Sequence, residues 1–143
     1  MTIIVKKITQ IMAPVIFLFG LYVIVHGHLS PGGGFAGGVI LAAAFILQIL
    51  SFGSILPSLR REEVWLELLE STAVMGFLVI SGLGLLLASF RIFFLNFINR
   101  GTVGQLLSGG IIPLENIVVG AEVCAAITTI FIALTVYQDE VTQ

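Results

Sequence analysis

Long runs of apolar residues, separated by short polar or glycine-rich breaks, set the pattern of this chain. The first runs from about Ile8 to Val25 and carries no charge. The second runs from about Phe35 to Leu56, with Gln48 as its only strongly polar side chain. The third covers about Val64 to Ser89 and the fourth about Leu114 to Tyr137. The runs are continuous and not alternating, and each meets the roughly 17–25 residues that a helix needs to cross a hydrocarbon core. A helix also satisfies its own backbone polar groups in lipid. The expected fold is an all-α integral membrane protein with four transmembrane helices (8–25, 35–56, 64–89 and 114–137) in one membrane domain, 1–143.

Composition supports this reading. The chain is 58% hydrophobic and 10% charged, with a mean hydropathy of +1.16. Soluble domains are about a quarter charged, so this chain lacks the polar surface to cover a core of its own size. The net charge of −2 and the lack of a basic patch give no sign of nucleic-acid binding. A single cysteine, Cys124, excludes an internal disulfide and reads as a small packing residue. Lys6 and Lys7 precede the first run as in a signal peptide, but no A-x-A-like cleavage site follows, so a retained first helix is expected.

The stretch His26-Gly27-His28-Leu29-Ser30-Pro31-Gly32-Gly33-Gly34-Phe35-Ala36-Gly37-Gly38 forms a glycine-dense corner between the first two runs. It matches G-x-G-x-x-G formally, yet it follows an apolar helix and not a strand, which excludes a dinucleotide site. Gly33 and Gly37 are four apart, as are Gly34 and Gly38, with Ala42 continuing the second row. Such small-xxx-small rows let membrane helices approach closely. Pro31 suits a helix start near position N1. The segment Arg91–Arg100 is aromatic-rich and flanked by arginines. It is expected to form an amphipathic connection in the headgroup layer, as a helix of its own or an extension of the third helix.

Candidate chemistry rests on a few polar side chains. Glu63, Glu67 and Glu70 share one face of the third helix, which Val74, Phe77 and Ser81 continue inward. Glu122 lies eight residues into the fourth run, well inside the hydrocarbon, with Glu115 seven residues earlier on the same face. A charge near mid-membrane costs ~2.5–3.5 kcal/mol, so Glu122 must face protein or water, pair with a cation, or be protonated. A second face of that helix carries Asn116, Gly120, Cys124 and Thr128, with Ala121, Ala125 and Thr129 beside it, and favours helix association. His26 and His28 end the first helix; their spacing shares no helical face and no local ligand joins them, so they read as a cap, an interfacial anchor or groups at an ion mouth. The ion-path candidates are therefore Glu122, Glu70, Glu67, His28 and His26. No nucleophile–base pair, P-loop, haem motif or cysteine cluster is present, so an independent enzyme is not expected.

The corner Gly27–Gly38, with its Pro31-Gly32-Gly33-Gly34-Phe35 core followed by Gly37-Gly38, closely resembles the signature of the MnhB/MrpB family, the B subunits of multisubunit Mrp-type sodium/proton antiporters. Length, number of spans, short N-terminus and long third connection match as well, so the resemblance covers essentially the whole chain. Related signatures occur in the C-terminal part of some large antiporter subunits; the chain length points to the separate B subunit. The resemblance implies an accessory subunit of the cell membrane without catalytic role or cofactor, with other Mrp-type subunits, lipid, sodium and protons as its partners. Similar subunits occur in archaeal respiratory complexes, where an antiporter-like module is joined to a membrane-bound hydrogenase or a sulfur-reducing relative. A structural scaffold and a freestanding small channel are the alternatives.

Lys6, Lys7, Arg60 and Arg61 against Arg91 and Arg100 favour an N-in, C-in orientation. In a Cys124→Ser background, single cysteines in 91–113 should react with an impermeant thiol reagent from outside the cell, and cysteines in 57–63 should not. The reverse pattern would invert the topology.

Overall fold

The computed structural model describes residues 2–52, 56–87, 94–102, 104–106 and 108–141, with side chains for all of these except 56–63 and 136–141. Arg91 lies outside the described residues, as do the side chains of Arg60, Arg61 and Glu63. Among the described residues the chain forms four α-helices and no strand: α1 (Ile3–Val25), α2 (Gly34–Phe52), α3 (Leu56–Leu87) and α4 (Ile112–Val141). Each contains a stretch long and apolar enough to cross a membrane, and the chain is a multi-pass membrane protein.

Leu56, expected to close the second helix, opens α3, and α4 runs from Ile112 to Val141, beyond the expected 114–137; the starts of α1 and α3 differ for one reason. α1 begins at Ile3 and takes in Lys6 and Lys7, and α3 begins at Leu56 and takes in the polar residues expected to form a turn over 57–63. Hydrophobicity marks where a helix enters lipid, whereas backbone hydrogen bonding continues through Lys, Arg and Glu, which are good helix formers. Pro57 sits in the first turn of α3, where its missing N–H costs nothing. The connection from α3 to α4 is a correction. Residues 94–100 form no helix. They fold back over the end of α3 instead: Phe94, at φ 59°, donates its N–H to the Ser81 carbonyl at 3.4 Å and sets its ring 5.7 Å from that of Phe77. The bare face of Gly84 meets the backbone of Leu95.

The helices pack in the order α1–α2–α4–α3. α2 lies between α1 and α4, and α4 lies between α2 and α3. α1 touches α4 lightly, and α3 meets neither α1 nor α2 among the described residues. Glycines set the two central crossings. A Cβ on Gly37 would stand 2.9 Å from the Gly20 carbonyl oxygen on α1, and one on Gly20 would stand 3.2 Å from the Gly37 oxygen. On the other side of α2, a Cβ on Gly38 would stand 2.7 Å from the Gly120 oxygen, and one on Gly34 would stand 2.9 Å from Val119 Cβ. The Gly34–Gly38–Ala42 row therefore serves α4, and Ala42 is fully buried. The expected Gly33–Gly37 row is corrected to Gly37 and Leu41 against α1, because Gly33 precedes the helix. Ile24, Leu41, Ala42 and Cys124 form the core where these helices meet. At the far end Thr9 and Ser51, each 2% exposed, share a 2.6 Å hydrogen bond that ties α1 to α2.

Gly38→Leu should destabilise the purified protein by roughly 1–3 kcal/mol through overpacking at the α2–α4 crossing. Gly82→Leu, at a face open for 4 Å around, should leave the thermal midpoint unchanged. Equal midpoints for the two variants would argue against glycine-dependent packing.

Candidate ion-handling site

The glycine corner is a compact turn closed by hydrogen bonds on both sides. His26 caps α1 and its carbonyl accepts from the N–H groups of Leu29 (2.8 Å) and Ser30 (3.0 Å) and from Ser30 Oγ (3.2 Å). Gly32 and Gly33 then adopt φ values of 155° and 104°, which a side chain would strain. The Gly33 carbonyl accepts the N–H of Gly37 at 3.0 Å and so opens α2. Pro31 is not at N1, as expected, but three residues before the first helical residue. Its fixed φ serves the turn and not the helix start.

Asn116 locks this corner to α4. Its Oδ1 accepts the Gly34 N–H at 3.4 Å, one of the amide groups that a helix start leaves unpaired. A Cβ on Gly27 would stand 2.8 Å from Asn116 Nδ2. Sequence reading placed Asn116 on a packing face and missed this role, since the two groups are 82 residues apart and no local pattern joins them. Phe35, the last residue of the motif core, points outward and is 66% exposed.

The two histidines diverge. His26 stacks on Tyr22 at 4.2 Å between ring centroids, one helical turn back. The His28 ring lies beside Gly109 in the α3–α4 connection. Both His28 ring nitrogens, His26 Nδ1, Asn116 Nδ2 and Glu115 Oε1 are buried without a hydrogen-bond partner among the described residues. Glu115 also lines a cleft of about 410 Å³ with Phe94, Asn96, Arg100, Gly109, Ile111 and Ile112. The corner end of the bundle thus gathers both hydrogen-bond donors and acceptors, a mixture suited to water and to proton exchange.

The glutamates lie further along. Glu122 is half-buried, ten residues past Ile112 and thirteen before Thr135, close to the middle of the apolar part of α4. Val118, one turn earlier, is the side chain nearest the bare face of Gly76, 3.8 Å away, which sets this side of α4 beside α3. Glu70 is half-buried on the side of α3 that carries buried Ala73, Ser81 and Gly84, the side that packs toward α4 and the connection. Glu67 and Val74 are exposed, so the expected common face of Glu67, Glu70, Val74, Phe77 and Ser81 splits. Glu70 turns inward and Glu67 does not. Among the described residues no three His, Cys, Asp or Glu side chains gather as a metal site would require.

Residues 4–129 match the family described as "Domain related to MnhB subunit of Na+/H+ antiporter". The chain belongs to the MnhB family. An uncharacterised protein of Methanocaldococcus jannaschii is 35% identical over 130 residues, 88% of this chain and 49% of its own length. The "Putative antiporter subunit mnhB2" of Staphylococcus epidermidis is 46% identical over 50 residues, 35% of this chain and 36% of its own length. The chain spans about half the length, or less, of these curated relatives. Among solved structures, a chain of the membrane-bound sulfane sulfur reductase, an archaeal respiratory membrane complex, superposes with a TM-score of 0.74 at 28% identity. The match covers 93% of this chain and 57% of that one.

Proposed function

We propose that this chain is a non-catalytic accessory subunit of an Mrp-type module that exchanges sodium for protons across the cell membrane. In that module it packs neighbouring subunits and helps to form the sodium path. The observation that carries this reading is the family match over residues 4–129. Glu122 supports the ion path. A half-buried carboxylate near mid-span is costly to keep in a lipid-facing position and is found where it meets protein, water or an ion. Glu70, turned toward α4, offers a second carboxylate, and His28 and His26 stand near the end of the bundle that would face outward if the N-terminus is inside.

A second reading puts the same module in a respiratory membrane complex whose redox chemistry lies on other chains. The superposition on the sulfane sulfur reductase chain favours it. Purification of the tagged chain from native membranes in mild detergent separates the two. Antiporter-type subunits alone should accompany it in the first case, and iron–sulfur or hydrogenase-like proteins should be added in the second. Recovery as a homo-oligomer would defeat both.

A plain scaffold role is the alternative, and Glu122→Gln discriminates. On the ion-path reading the variant complex assembles and loses about tenfold or more of its sodium-dependent proton transport, as expected when one charged ligand worth over about 1.4 kcal/mol is removed. Full transport in the assembled variant would leave the scaffold reading.

A further inference from the structure

The α3–α4 connection and the first turn of α4 enclose the cleft of about 410 Å³ described above. Its only charged lining residues are Arg100 from the connection and Glu115 from α4. The two stand near one level. The Gly109 N–H donates to the Arg100 carbonyl at 3.0 Å, which holds Arg100 beside the residue three before the start of α4. A side chain in the first helical turn leans back toward the N-terminus, so the Glu115 carboxylate reaches toward that level from below.

A cation and an anion in one cleft could neutralise each other, yet Arg100 and Glu115 form no ion pair among the described residues. Glu115 Oε1 is covered by the protein, whereas Oε2, equally without a partner, is left uncovered. Arg100 is exposed. Both charges are thus accessible. Ile112 opens the apolar span of α4, so the cleft lies where the hydrocarbon ends. Phe94 and Ile112 also line it, 43% and 48% exposed, and set apolar surface beside the two charges.

These charges select the occupant. A metal cation is repelled by Arg100 and a simple anion by Glu115. An acyl chain alone would take both charges out of water and give them no partner. Clusters of Lys and Arg recognise anionic lipids, but here a single cation is balanced by a single acid. A zwitterion meets both: its phosphate accepts from the guanidinium, and its ammonium donates to the carboxylate. The volume lies within the roughly 300–1,000 Å³ of small-ligand sites.

We propose that the cleft binds the headgroup of a zwitterionic phospholipid, with its phosphate on Arg100, its ammonium on Glu115 and its glycerol and first chain carbons against Phe94 and Ile112. A lipid so held ties the α3–α4 connection to α4. The site is independent of the sodium path.

The test uses the whole complex purified in mild detergent. A photoactivatable phosphatidylethanolamine should label the wild-type chain at Phe94 or Ile112, and unlabelled phosphatidylethanolamine should compete at least about threefold better than phosphatidylglycerol. Arg100→Gln and Glu115→Gln should each weaken the labelling affinity roughly three- to tenfold. Glu115→Gln should in addition erase the preference over phosphatidylglycerol, an effect that mere loosening of the cleft would not produce. Wild-type labelling confined to other positions would overturn the site, as would equal competition by phosphatidylglycerol. Glycerophosphoethanolamine, which has the headgroup and no chains, should compete poorly; competition equal to that of the lipid would give the cleft to a soluble zwitterion and overturn the lipid. Should the glutamine variants fail to assemble, wild-type labelling and competition still decide.

Discussion

Where α2 crosses α4, Gly38 faces the carbonyl oxygen of Gly120 with no room for one more carbon, and Ile24 of α1 closes over the same glycine. Lipid tails are as apolar as leucine, so these helices gain nothing by hiding hydrophobic surface from each other. They associate through close van der Waals contact between backbones. Every other feature of the corner end follows from that approach. Asn116 can reach the Gly34 N–H only because the two helices nearly touch there. Gly32 and Gly33 must bend the chain sharply enough to deliver α2 to that spot.

The resulting order, α1–α2–α4–α3, is a row and not a closed bundle. A closed bundle would turn every polar side chain of α4 toward a common centre. In a row, α4 meets one helix on each side and leaves its flanks between them. Glu115, Glu122 and Thr129 occupy one such flank, half sheltered by this chain alone. The polar groups of the corner lie at one end of that flank, and Glu70 of α3 lies nearer the other. The two sides of α4 thus differ: its glycine side holds the fold, and its glutamate side is left half-sheltered.

Much of this was legible in the sequence, and the limits have physical causes. Four spans follow from unbroken hydrophobicity, which acts over the length of a whole helix. The row Gly34–Gly38–Ala42 was readable because spacing within one helix fixes a face. Glu122 stood out because a mid-span carboxylate is rare in lipid. What could not be read depends on contacts between distant segments. The lock of Asn116 on Gly34 and the Thr9–Ser51 bond join residues 82 and 42 apart. The separation of Glu67 from Glu70 needed the position of α4, since spacing says which residues share a side but not which side is covered.

The helix order also bears on how the protein is made. Chains are synthesised from the N-terminus, so α3 emerges before α4. Yet among the described residues α4 is the one helix against which α3 packs. Until α4 arrives, α3 has only the fold-back of Phe94 and Leu95 against it among the described residues, and Glu70 lacks the helix that half-buries it. α4 is therefore the keystone of these four helices: it seats itself against α2 through glycines and, in the same event, gives α3 its place.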